Sequence, residues 1–232
     1  MRSHELDLGR YYTDKVPNRY LDFYDPVVLP FVDQEIKLLE VGIYKGGSLL
    51  LWRDYFPRGM IVGIDAHVPP GWTAQERIRV FEGDQQDLAF MSRVARQTAP
   101  EGFDIIIDDA SHLADMTRAS FWHLFDHHLK PGGLFVIEDW GTGYYDDWPD
   151  GQAYREPPPW RSTLLSWLQR LNVIRRISAP SHACGMVGFV KELVDEQGAA
   201  DLTRRVLAGT ATRTSKFRSL LIAPSIVFVT KN

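Results

Sequence analysis

Phe103-Asp-Ile-Ile-Ile-Asp-Asp-Ala-Ser-His112 and, further on, Phe135-Val-Ile-Glu-Asp139 decide how this chain folds. Each is a short apolar run that stops abruptly in acid: Asp108, Asp109 and His112 after the first, Glu138 and Asp139 after the second. Apolar runs of this length, separated by amphipathic stretches, read as buried strands of a parallel sheet wrapped by helices. In an open parallel sheet, ligands bind in the crevice beyond the carboxyl ends of the strands. Two strands that both end in carboxylates there make a hard-oxygen cluster, which suits a divalent cation better than a packed core. His112 beside them offers an imidazole as a candidate base.

The same pattern extends in both directions. Ile36–Gly42, Met60–Asp65 and Ile78–Phe81 read as three earlier strands, and Leu134–Ile137 as the fifth. Helical spacing covers 47–56, 89–97 and 117–129, the last stopped by Pro131-Gly-Gly133. After Trp140 the pattern breaks into a proline- and aromatic-rich loop over 141–160, with Tyr144, Tyr145, Trp148, Tyr154 and Trp160. Such a loop is expected to be a lid, a subunit contact or a surface on which a sugar ring stacks. Helices are expected over 162–171 and 186–197, and two final strands joined around Pro224. The expected fold class is α/β, a doubly wound, mostly parallel Rossmann-like sheet with an antiparallel last strand. It forms a single domain over 1–232, with an N-terminal cover segment at 1–35 and a substrate-side insertion at 141–200.

Composition narrows the class. The 232 residues carry a formal net charge of -4, so no electrostatic footprint favours nucleic acid. No segment approaches the apolar length of a membrane span. The charged start lacks an apolar signal core, and Cys184 is the single cysteine. Together these point to a cytoplasmic protein.

Leu39-Glu-Val-Gly-Ile-Tyr-Lys-Gly-Gly-Ser48 reads as strand, glycine-rich turn and helix start. Gly42, Tyr44, Gly46 and Ser48 offer close backbone approach and free helix N–H groups. The turn lacks the spacing of a dinucleotide fingerprint and of a P-loop, which disfavours a nicotinamide oxidoreductase. Glu40, just before it, suits a cationic ligand such as a sulfonium or an amino group. Asp65 ends the next strand where a carboxylate can take both ribose hydroxyls, and Asp84 follows the third strand, placed to accept from an adenine amine.

These residues resemble the class I S-adenosylmethionine-dependent methyltransferases, with Tyr44 standing where that family's glycine motif often has a middle glycine. Asp108-Asp-Ala-Ser-His112 with Ile137-Glu-Asp139, supported by Tyr12-Thr-Asp-Lys15 and Gly83-Asp-Gln85, resembles the magnesium-dependent sugar O-methyltransferases of the macrocin and mycinamicin group. The resemblance implies Mg²⁺ held by Asp109, Glu138 and Asp139, with His112 as general base and Asp109 beside it in catalysis. It implies S-adenosylmethionine bound by Thr13, Glu40, Gly42, Tyr44, Gly46, Ser48, Asp65, Asp84, Gln85 and Asp108. The expected reaction is methylation of a sugar hydroxyl on a glycosylated small molecule, by a homo-oligomer. A catechol-type methyltransferase, a non-catalytic S-adenosylmethionine-binding protein and a relative bearing the cephalosporin-hydroxylase label remain open at this point.

Overall fold

The computed structural model describes residues 1–73, 75–152, 182–199 and 213–232. The helix expected over 162–171, and Tyr154 and Trp160 of the aromatic loop, lie outside the described residues. Seven strands form one sheet in the order β3-β2-β1-β4-β5-β7-β6. They are β1 (Lys37–Val41), β2 (Met60–Asp65), β3 (Ile78–Glu82), β4 (Phe103–Asp108), β5 (Leu129–Glu138), β6 (Phe217–Ala223) and β7 (Ile226–Lys231). The first five run parallel; β7 pairs antiparallel with β5 and with β6.

Adjacent residues of a strand point to opposite faces, so one apolar run supplies two cores. Ile106, Val41, Phe135 and Val229 face a layer of α3 (Leu88–Thr98), α4 (Ala114–His128) and α6 (Gly185–Gly198). Ile105, Ile107, Leu38, Val136 and Phe228 face α1 (Leu21–Val28) and α2 (Gly47–Tyr55). Among the described residues a further helix, α5, is the single turn Pro149–Gln152.

Two boundaries differ from the sequence reading. Helix α4 ends at His128 and β5 already begins at Leu129, so Pro131-Gly-Gly133 lies inside a strand instead of ending a helix. The β4–β5 register jumps there, from Phe103↔Leu129 to Ile105↔Leu134, which takes up the extra residues as a bulge. The aromatic loop opens with a 3-10 turn, Trp140–Tyr144, and leads to α5.

The strand order reverses between β1 and β4, the two strands on either side of the switch point where such sheets bind ligands. The N-terminal segment crosses this end of the sheet. It is tied back by Ser3, whose backbone N–H and hydroxyl both donate to the buried Asp25 carboxylate, and Tyr55 donates to the same carboxylate from α2. The segment lies directly on the first turn of α2. A Cβ on Gly47 would stand 1.9 Å from the carbonyl oxygen of Tyr12, a distance no side chain tolerates.

Gly47→Ala is therefore expected to lift residues 11–19 off the sheet end while leaving the core intact. Trypsin should cut at Arg10, Lys15 or Arg19 at least about five times faster. Unchanged cleavage would mean that the segment does not rest on this helix turn.

Candidate active site

Two cavities open at the carboxyl end of the sheet. One, of about 620 Å³, lies between the N-terminal segment and the β1–α2 turn, lined by Tyr12, Thr13, Gly42, Tyr44, Ser48, Asp109, His112 and Asp139 among others. The other, of about 560 Å³, runs past Asp65, His67, Asp84, Gln85, Ser111 and Met116. Gly42, Tyr44, Asp109 and Ala110 border both, so the two form a continuous path across the switch point.

Local backbone shapes this junction. Gly42 has φ +89°, and a Cβ there would stand 2.1 Å from the Asp109 carbonyl. Tyr44, His112 and Asp139 also adopt positive φ, at +46°, +51° and +55°. For non-glycine residues this conformation is sparsely populated and clusters at functional sites. His112 is held there by its carbonyl oxygen, which accepts from Thr142 Oγ1 at 3.2 Å and Trp148 Nε1 at 3.1 Å.

Asp109, His112 and Asp139 each bring a ligand atom within 4.8 Å of the others, which makes them the one metal-competent group of this kind among the described residues. His112 Nε2 lies 4.0 Å from Asp109 Oδ1 and 3.8 Å from Asp139 Oδ2. Asp139 also accepts from the Tyr20 hydroxyl. Two carboxylates and room for further oxygen ligands fit Mg²⁺.

Glu138 is not in that group. It is 1% exposed, with one oxygen accepting from Tyr24 and the other 2.9 Å from Lys15 Nζ. The expected Asp109–Glu138–Asp139 triad is thus divided: Asp109 and Asp139 meet at the cavity, and Asp109 and Glu138 meet at a lysine. Lys15 is fully buried and also approaches Asp109 Oδ2 at 2.6 Å and Glu40 Oε1 at 3.3 Å. Burial alone would lower its pKa, but Asp109, Glu138 and Glu40 outweigh this and raise it well above the ordinary lysine range. Glu138 is pushed well up by burial and by Asp109, with Lys15 opposing. Burial also raises Asp109 and Glu40, again against Lys15.

The remaining expected residues separate into those that face a cavity and those that support one. Thr13, Gly42, Tyr44 and Ser48 line the first cavity, and Asp65, Asp84 and Gln85 the second. Asp65 Oδ2 accepts from the backbone N–H groups of Ile43 and Tyr44 at 2.8 and 3.0 Å, so it fixes the turn as well as facing the cavity. Glu40 borders neither. It is buried against Ser48 Oγ at 2.7 Å, Trp52 Nε1 at 3.3 Å and Lys15 Nζ at 3.3 Å. Asp108 is likewise buried, held by Ser120 Oγ at 2.6 Å and by Gln85 Nε2 at 2.8–2.9 Å. Gly46, at φ +79°, shapes the turn from behind.

Sequence reasoning assigned no role to Lys15, Tyr20 or Tyr24. The two tyrosines are four residues apart at the start of α1, on one helix face, and that spacing was the available signal.

No family model matches the chain. It is 38% identical over 192 residues to a mycinamicin VI 2''-O-methyltransferase of Micromonospora griseorubida, an alignment covering 78% of this chain and 46% of that protein. A demethylmacrocin O-methyltransferase of Streptomyces fradiae is 38% identical over 155 residues, covering 64% and 38%. Among solved structures, MycE methyltransferase in complex with Mg, SAH and mycinamycin VI superposes with TM-score 0.63 and 31% identity, over 90% of this chain and 48% of that one. A caffeoyl-CoA O-methyltransferase-like protein from Staphylococcus aureus, at 13% identity and TM-score 0.53, shares the fold alone. The chain thus has the class I methyltransferase fold and resembles the macrocin and mycinamicin sugar O-methyltransferases. It spans about half or less of the length of the curated relatives it matches.

Asp108 supplies a pH-dependent test of this site. Burial lifts its carboxyl to about 6, against hydrogen bonds that lower it. The unfolded chain titrates the same group near 3.9, so the fold binds this proton more tightly. Its stabilising contribution is complete below about pH 4 and is lost as pH rises through about 6, worth about 3 kcal/mol. Asp108→Asn should flatten the fall in urea stability between pH 4 and 6, measured in chelator; an unaltered slope would contradict the assignment.

Proposed function

We propose that this protein is an S-adenosylmethionine-dependent, divalent-ion-assisted O-methyltransferase acting on a sugar hydroxyl of a glycosylated natural product. The observation that carries the reading is the meeting of Asp109, His112 and Asp139 in the first cavity, with Asp109 shared with the second, on the reversal point of a methyltransferase sheet. The names and bound ligands of the relatives support the substrate class.

The second cavity suits the adenosine end of the cofactor, with Asp65 toward the ribose and Asp84 and Gln85 toward the base. Gln85, which lines that cavity, has in Oε1 a buried acceptor without a partner among the described residues, and an adenine amine would satisfy it. The first cavity suits the methionine end, between Thr13, Gly42, Tyr44 and Ser48. S-adenosylmethionine, when bound, supplies an electrophilic methyl group on a sulfonium. Mg²⁺, when bound, would be held by Asp109 and Asp139 and would acidify the acceptor hydroxyl.

The chain's own part is proton transfer and alignment. His112 Nε2 takes the hydroxyl proton as the new O–C bond forms and the sulfur–methyl bond breaks, leaving a methyl ether and a neutral thioether. Asp109 and Asp139, at 4.0 and 3.8 Å, stabilise the imidazolium that results. The strained backbone of His112, locked by Thr142 and Trp148, keeps the ring aimed at the junction. Holding acceptor and methyl donor in line at this place contributes a further large factor. A cytoplasmic setting is part of the same proposal; among the described residues no helix is long and apolar enough to cross a membrane.

His112→Ala should lower kcat on a glycoside acceptor by about 10²–10⁴-fold, with S-adenosylhomocysteine affinity within about threefold of the unaltered protein. An equal loss of binding and turnover would remove His112 as the base. Chelator should abolish turnover and Mg²⁺ restore it. Full activity in chelator would remove the metal, and transfer to catechols in preference to glycosides would overturn the substrate class.

A further inference from the structure

The proposed reaction leaves unused a fully buried cation at the site. Lys15 is 0% exposed, and its Nζ reaches the ends of three parallel strands: Glu40 on β1, Asp109 just past β4 and Glu138 on β5. An ammonium has three donors, and three carboxylates face this one. The lysine belongs to the segment that covers the first cavity, where Tyr11, Tyr12, Thr13, Asp14 and Pro17 supply one wall. Tyr20 and Tyr24, next along the chain, donate to Asp139 and Glu138. Lys15, Tyr20 and Tyr24 therefore all end on the acid cluster that the segment covers, while Tyr11 donates to Asp54 on α2 at 2.9 Å.

Asp109 shows what this arrangement does. Lys15 engages its Oδ2 at 2.6 Å, while Oδ1 is the atom that faces His112. The two oxygens are divided between an internal cation and the cavity, so the lysine fixes which one a ligand meets. Among the described residues Lys15 is the one lysine or arginine paired with Glu40, Asp109 and Glu138, and buried carboxylates without such a partner are strongly disfavoured.

The geometry points to Lys15 as a positioning residue: a permanent internal cation that aims Asp109 and seats the 11–20 cover, so that the metal-binding carboxylates and the cofactor wall are set by one side chain. This rests on the proposed cofactor and metal. The divalent ion occupies the other side of Asp109 and does not displace the lysine. Removing the ammonium leaves the cluster more negative, so ion binding survives while the cover is released.

The test uses Lys15→Met, which keeps the length and removes the charge. Mn²⁺ titration followed by electron paramagnetic resonance should give a dissociation constant equal to or below that of the unaltered protein. Calorimetry at saturating Mg²⁺ should show S-adenosylhomocysteine bound at least about tenfold more weakly. Trypsin should cut at Arg10 or Arg19 faster. Unaltered cofactor affinity and cleavage would overturn the inference, and so would loss of Mn²⁺ binding with cofactor affinity kept. A second measurement needs no variant: acetylation footprinting of the unaltered protein should leave Lys15 protected, with or without Mg²⁺ and S-adenosylhomocysteine, while exposed Lys45 reacts. Reaction of Lys15 on adding Mg²⁺ would mean that the ion takes the lysine's place. If the unaltered protein binds no S-adenosylhomocysteine, the proposed function fails, and the footprint still judges the lysine.

Discussion

Burying one ammonium among three carboxylates is the constraint around which the carboxyl end of this sheet is built. Lys15, Glu40, Asp109 and Glu138 come from the N-terminal segment and from three strands that are neighbours in the sheet. A buried ion pair is poor evidence of net stability, because desolvation offsets much of the attraction, but breaking one leaves an uncompensated charge that costs about 3–5 kcal/mol. What such a cluster secures is arrangement. With Tyr24 on Glu138 and Tyr20 on Asp139, the N-terminal segment has one seat, and the strand-end acids have one set of orientations.

The geometry at the cavity follows from that seat and from backbone strain. Tyr44, His112 and Asp139 hold left-handed conformations that non-glycine residues rarely take, and all three line the first cavity. Strain of this kind persists only where surrounding contacts over-determine it. Here those contacts are visible: Thr142 and Trp148 on the His112 carbonyl, Asp65 on the Tyr44 N–H, Tyr20 on the Asp139 carboxylate. The aromatic loop thus reaches the first cavity from behind, through the backbone of His112.

Much of this was legible in the sequence, for reasons that differ by element. Ile105, Ile106 and Ile107 form a run that only a strand buried on both faces requires, and the acids that follow it mark the ligand-binding end. Pro131-Gly-Gly133 misled because local turn chemistry was overridden by pairing with β4, which absorbs those residues in a bulge. Asp109, His112 and Asp139 were readable because strand ends converge in this topology. Glu40, Asp108 and Glu138 were assigned to ligands because the sequence displays acids without their partners. Those partners, Lys15, Ser120 and Tyr24, lie as far as 123 positions away along the chain, and only tertiary packing joins them.

The central claim is that Asp109 divides its oxygens between an internal lysine and an external divalent ion. A crystal grown with Mn²⁺ and S-adenosylhomocysteine and measured at the manganese absorption edge tests it most directly. The account predicts an anomalous peak within coordination distance of Asp109 Oδ1 and an Asp139 oxygen, with Lys15 Nζ still on Asp109 Oδ2 and Glu138. An ion found in the lysine's position, with the Lys15 side chain turned out of the cluster, would contradict it.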